Sequence, residues 1–189
     1  RAKRTTKSSE SMLNAMSSPH GFELGELRVD IRLNLHRIRR TSSVIPDATS
    51  PAGRGQSGIH TQFDPHVLAI TVTPGMDPKL IEKLFETKIL HGVVLEGFGP
   101  GNLPNAPEIS FVPVIRGATE RGIPVVVASQ CDRGTVDLTS YAVGRSALDA
   151  GAIPAGDMTH EAAVTKLMWA LGQTNDLDTV RQIMTSDIA

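Results

Sequence analysis

From residue 64 onward the sequence predicts an α/β fold, a small doubly wound parallel sheet. Short β-branched runs alternate with segments of helical period, and Gly, Pro and Asp punctuate the boundaries. That order suits parallel strands joined by helices and covered on both faces. With 40% apolar residues in 189, the chain can bury a core of this size.

Three segments follow from composition. Residues 1–36 open with RAKRTTK and end in LRVDIRLNLH, where Leu27, Val29, Ile31 and Leu33 alternate with polar residues and predict one strand with a buried face. Residues 37–63 are rich in Ser, Gly, Pro and Arg without a period, which predicts a linker. Its arginines have no interleaved aromatics, so a solvated linker is favoured over a phosphate-binding arm. Residues 64–189 form the α/β domain.

Within that domain the first strand is expected over 67–72, stopped by Pro74 and Gly75. Asp77 then offers a capping oxygen, Pro78 suits a first helical turn, and Leu80, Ile81, Leu84 and Phe85 make a buried stripe. A buried strand over 93–95 opens into the turn GFGPGNLPN. A helix over 108–120 should start irregularly because of Pro113. A third strand over 123–128 leads into SQCDRG. A helix over 141–150 is closed by Gly151. Thr159 caps the next helix, with Glu161 in its first turn and Ala163, Leu167, Met168 and Leu171 facing inward. A last helix covers 177–184.

Composition narrows the function. Nineteen basic and 20 acidic residues give a net charge of −1, so no global field favours nucleic acid or an anionic membrane. Cys131 is the only cysteine, which excludes an internal disulfide and a Cys-rich metal site and leans toward a reducing, cytoplasmic compartment. No apolar run approaches the ~20 residues of a membrane span. His160 precedes Glu161, but the position four residues after it is Val164, so the zinc helix motif fails and a capping-turn histidine explains it better. Met168 and Trp169 sit at core spacing, which suggests packing rather than a cofactor face.

In open α/β sheets ligands bind beyond the carboxyl ends of the strands, near a switch in strand order, which selects the loops after Leu95 and Ala128. In the first, GFGPGN sets three glycines in six residues, so backbone groups can approach a small polar ligand or a neighbouring chain. In the second, Asp132, Asp137, Thr139 and Tyr141 surround a helix start. Thr139 or Asp137 could cap that helix, and Tyr141 could supply a hydroxyl.

The ordered segments GVVLEGFGPGNLPN and SQCDRGTVDLTSYAVGRSALDAGAIPAGDMTHEAAVTKLMWALGQT resemble the C-terminal domain of L-asparaginases. RAKRTTK resembles the strand that ends the N-terminal domain of that family. The resemblance implies that Lys7 is catalytic, the lysine of a Thr, Lys, Asp group in which it takes or relays a proton from the threonine nucleophile. It implies that Asn102 reaches across a subunit interface to bind the substrate's α-amino and carboxylate ends. The acidic residue that the family's periplasmic branch places at a second interface position has no clear match here; Thr139 falls nearest by spacing, and Tyr141 could supply a hydroxyl. SQC resembles the type I, cytoplasmic branch, making Ser129 and Cys131 candidates for an effector site, although the arginine that branch uses at the strand end is Glu96 here.

The threonine motifs TGGT and HGTD of the family's N-terminal domain do not occur in these 189 residues. The expectation is therefore part of an L-asparaginase, inactive without an N-terminal asparaginase segment. It would act on L-asparagine through an acyl-threonine, as a homodimer or dimer of dimers, with no metal or organic cofactor and no nucleic-acid or membrane partner. The alternatives are the asparaginase-like subunit of glutamyl-tRNA amidotransferase and a non-catalytic assembly module of the same fold.

Overall fold

A computed structural model describes residues 62–186 in full and, of the N-terminal part, the backbone of residues 6–7, 16–17, 25–27 and 31–33. There β1 (Thr6–Lys7) pairs antiparallel with β2 (Met16–Ser17), and β3 (Gly25–Leu27) with β4 (Ile31–Leu33). Leu27 stands opposite Ile31, so the single strand expected over this stretch is instead two short arms of a reversal. Alternation of apolar and polar residues is satisfied by either arrangement. Val29 and most of the linker lie outside the described residues.

The α/β domain runs β5 (Val67–Thr71), α1 (Lys79–Glu86), β6 (Gly92–Gly97), α2 (Val112–Glu120), β7 (Val125–Ser129), α3 (Ala142–Asp149), β8 (Ile153–Pro154), α4 (His160–Gln173) and α5 (Leu177–Thr185). Its sheet is parallel throughout, in the order β5-β6-β7-β8. Right-handed crossovers that all step the same way put α1, α2 and α3 on one face. Consistently, α1 packs on α2 and α2 on α3, while α4 crosses β5, β6 and β7 and α5 lies on β8 and α4. Both faces are thus covered, as the alternation predicts. The strand order, however, shows no switch among the described strands, so the expected crevice at a reversal is absent from this sheet.

The two central strands are apolar on both faces because both are buried. Val93 and Val94 of β6, and Val126, Val127 and Ala128 of β7, have no exposed surface, and Phe111, Ile115 and Leu167 complete the core from the helices. Burying each valine, leucine, isoleucine or phenylalanine among them is worth about 1.5–3 kcal/mol relative to leaving it exposed. Helix α1 shows where the sequence pattern over-reaches. Ile81 and Phe85 are buried, but Leu80 is 65% and Leu84 37% exposed. Among the described residues this eight-residue helix, at the outer edge of its layer, packs chiefly on α2 and buries only the i, i+4 pair Ile81 and Phe85.

The caps follow their expected chemistry. Asp77 Oδ1 accepts the Lys79 N–H at 3.0 Å, Thr159 Oγ1 accepts that of Ala162 at 3.3 Å, and Gly151 closes α3 at φ 107°. Helix α2 begins only at Val112, with Pro113 in its first turn. Met168 and Leu171 are half-buried, and Ala170 joins Ala163 and Leu167 in facing the sheet. Strand β8 carries no sequence signal: two residues long and containing Pro154, it offers neither a period nor a full set of ladder donors. No helix among the described residues is long and apolar enough to cross a membrane.

Candidate functional site

Strands β6 and β7 end side by side, Gly97 paired with Ser129, so their following loops leave the same edge of the sheet. The first loop doubles back at once. Phe98 N–H donates to Asn102 O and Asn102 N–H to Phe98 O, both at 2.8 Å, and Gly101 N–H donates to Phe98 O at 3.1 Å. Such a tight reversal needs left-handed backbone, supplied by Gly99 (φ 52°) and Gly101 (φ 100°). A Cβ on Gly101 would stand 2.9 Å from Val136 Cγ1 and 3.1 Å from Val127 Cγ1, so this turn also presses directly onto the second loop.

Polar contacts stitch the two loops together. Ser129 Oγ donates to Gly99 O at 2.6 Å, and Asp137 N–H to Pro100 O at 3.0 Å. Asn102 is held half-buried at the base of the turn, with buried Leu103 anchoring the chain beyond it. Among the described residues no hydrogen bond ties the Asn102 side-chain amide, which leaves both its donor and its acceptor for a ligand.

In the second loop the residue that does most is Gln130, the middle of SQC, for which the resemblance implies no role. Gln130 donates its backbone N–H to Gly97 O at 3.0 Å and its side-chain amide to Val72 O and Glu96 O, each at 2.7 Å. It thereby fastens the ends of β5, β6 and β7. The available signal is a long amide immediately after a strand end, between the candidates Ser129 and Cys131. Ser129 is occupied in the same scaffold, since its hydroxyl also accepts the Cys131 N–H at 2.9 Å. Cys131 presents an exposed thiol. The Glu96 carboxylate accepts Thr71 Oγ1 at 2.6 Å, turned toward the edge strand.

Thr139 and Tyr141 lie further along this loop, at the start of α3. Asp137 accepts the Thr139 N–H at 2.8 Å, the Thr139 hydroxyl at 2.6 Å and the Ser140 hydroxyl at 2.5 Å. The Ser140 hydroxyl, then the Thr139 hydroxyl and N–H, hold the Asp137 carboxyl at about 2, well below its ordinary value. Arg145 Nε donates to Thr139 O at 2.8 Å, so the turn is closed from the helix side as well. Tyr141 is the extended residue before α3 and its side chain is mostly exposed. His160 is the first residue of α4, its Nε2 3.8 Å from Glu161 Oε1.

The structure thus gathers Asn102, Ser129, Cys131, Thr139 and Tyr141 on loops at one edge of the sheet. Lys7 belongs to β1, and its side chain lies outside the described residues. The edge has a rigid backbone, a free amide and several hydroxyls, and among the described residues no lysine or histidine of these loops could serve as a base. It can recognise a polar ligand.

Residues 66–184 match the family model described as the glutaminase/asparaginase C-terminal domain. An L-asparaginase of Thermococcus kodakarensis is 46% identical over 137 residues, 72% of this chain and 40% of that protein. A glutamyl-tRNA(Gln) amidotransferase subunit from Pyrococcus horikoshii is 43% identical over 131 residues, 69% of this chain and 29% of that protein. Among solved structures, the thermostable L-asparaginase from Thermococcus kodakarensis superposes with a TM-score of 0.76 at 37% identity, covering 99% of this chain and 52% of that one. L-asparaginase I from Vibrio cholerae gives a TM-score of 0.77 at 30% identity, over 98% of this chain and 52% of that one. The chain therefore spans about half the length of these solved relatives and less of the curated ones.

Proposed function

The chain belongs to the glutaminase/asparaginase family, carrying its C-terminal domain, and we propose from this that it is the carboxyl-terminal part of an L-asparaginase that hydrolyses L-asparagine to L-aspartate and ammonia. In this reading residues 1–36 finish the N-terminal domain, 37–63 link the two, and 64–189 present the Asn102 edge. The threonine nucleophile and the oxyanion-stabilising donors come from an N-terminal segment outside this sequence. A threonine Oγ of that segment attacks the side-chain amide carbon while Lys7 takes the hydroxyl proton; the C–N bond breaks as that proton passes to the leaving nitrogen, ammonia departs, and water hydrolyses the acyl-threonine ester, releasing aspartate and restoring the threonine hydroxyl.

The observation that carries the reading is the turn of residues 97–102. It exposes one free amide, that of Asn102, on a backbone that hydrogen bonds and a glycine contact hold rigid. Such a group suits the fixed α-amino and carboxylate ends of an amino acid, because pre-organised donors and acceptors cost little to order on binding. In the assembled protein, a homodimer or dimer of dimers in the cytoplasm, Asn102 contributes to a neighbouring subunit's pocket. Thr139 and Tyr141 flank it, and Ser129 and Cys131 border a candidate effector site altered by Glu96.

The test is ammonia release from L-asparagine by these 189 residues joined to, or mixed with, the threonine-bearing N-terminal segment, and by the 189 residues alone. The expected result is turnover only in the first case. The 43% identity to an amidotransferase subunit supports a second reading, an ammonia donor to a partner enzyme. That version would release little ammonia from free asparagine and would act when the partner and glutamyl-tRNA are supplied.

A further inference from the structure

At the opposite end of the sheet, where β5 and β6 begin, Asp64, His66 and His91 converge. Val67 and Gly92 are paired, so His66 and His91 are neighbours in the preceding register, and His91 N–H donates to His66 O at 2.9 Å. The two imidazoles have ring centroids 4.7 Å apart. The Asp64 carboxylate lies between them, Oδ1 at 2.8 Å from His66 Nδ1 and Oδ2 at 2.5 Å from His91 Nδ1. One ligand atom from each of the three residues lies within 4.8 Å of the others.

We propose that Asp64, His66 and His91 form a binding site for a divalent cation of the zinc class. Two imidazoles and one carboxylate are the donors that borderline transition ions prefer, and they select against Mg²⁺ and Ca²⁺, which seek oxygen. An ion about 2.0–2.2 Å from each donor fits between groups already this close after small side-chain rotations. It would replace the protons now shared between the carboxylate and the two rings. Both imidazoles are about half exposed, at 49% and 47%, so an ion can reach them and complete its shell with water, while Asp64 is more enclosed at 18%.

The backbone is already fixed. Asp64 N–H donates to Met168 O of α4 at 2.9 Å, and Gln173 Nε2 donates to Gln62 O at 3.1 Å, laying the segment that leads into β5 along α4. A bound ion would fasten this segment to the start of β6. The site is a full strand length from the Asn102 edge, so its role is structural and independent of the reaction.

The experiment uses the 189-residue chain, freed of metal with a chelator, then titrated with Zn²⁺ by calorimetry at neutral pH and with Co²⁺ by visible absorption. One saturable equivalent of Zn²⁺, none of Mg²⁺, and the intense visible bands of low-coordinate Co²⁺ are expected, with a rise in the thermal midpoint as Zn²⁺ is added. Asp64→Asn, His66→Gln and His91→Gln should each weaken binding at least about 100-fold, the upper end of the loss seen for outer-shell partners. His160→Gln should leave it unchanged. In case a variant fails to fold, Zn²⁺ protection of the native chain against diethyl pyrocarbonate gives a second readout, with His66 and His91 protected and His160 still modified. Absence of saturable Zn²⁺ binding, undiminished binding by His91→Gln, or protection of other histidines instead would overturn the proposal.

Discussion

Asn102 and Asp137 show how the same edge of the sheet holds a free polar group beside a fully engaged one. The free amide of Asn102 predicts that Asn102→Ala raises KM for asparagine in the assembled enzyme and leaves its thermal midpoint nearly unchanged, which steady-state kinetics and a melting curve check together. Asp137 predicts a pH dependence instead. Its carboxyl sits at about 2 in the folded chain against an ordinary 3.8, so the unfolded state takes up the proton first. The stabilisation is therefore fully present above pH ~4 and is lost as pH falls through about 2. Melting curves should show the native chain more stable than Asp137→Ala near neutrality, with the gap closing between pH 4 and 2; a pH-independent gap would mean the carboxylate's hydrogen bonds to Thr139 and Ser140 contribute nothing.

At the level of the elements, the turn after β6 depends on Gly101, which is both left-handed and in contact with Val136 and Val127. Gly101→Ala should cost about 1–3 kcal/mol in denaturant unfolding, and more if the second loop cannot give way. Thr159→Ala should cost about 1 kcal/mol through the lost cap of α4. Strands with β-branched runs and helices with a Pro, Thr or Gly at a boundary are legible in the sequence, because those residues act locally. The reversal at Leu27 and Ile31, the exposure of Leu80 and Leu84, and β8 are not. Each depends on what lies alongside, and a one-dimensional period does not carry that. The same holds for the site: GFGPGN announces a sharp turn, whereas Gln130 acquires its meaning only when Val72, Glu96 and Gly97 come within reach.

For the whole molecule, the composition of residues 37–63 predicts that limited proteolysis cuts there first and leaves a resistant fragment beginning near residue 64, where Asp64 N–H is held by Met168 O of α4. Cleavage first within residues 64–186 would count against the domain division. In the assembled enzyme Lys7→Met should lower turnover by ~10²-fold or more while leaving the melting curve of the α/β domain intact. In the proposed function this domain lends Asn102 to an amidase site whose catalytic lysine lies on another subunit. Mixing subunits carrying only Lys7→Met with subunits carrying only Asn102→Ala, each joined to the threonine-bearing segment, tests it most directly. Random pairing into dimers should restore about a quarter of the wild-type sites, raising asparagine hydrolysis, assayed well below the KM of the Asn102→Ala parent, above the average of the two parents. A mixture no more active than the average of its two parents would mean that Asn102 and Lys7 do not meet across subunits.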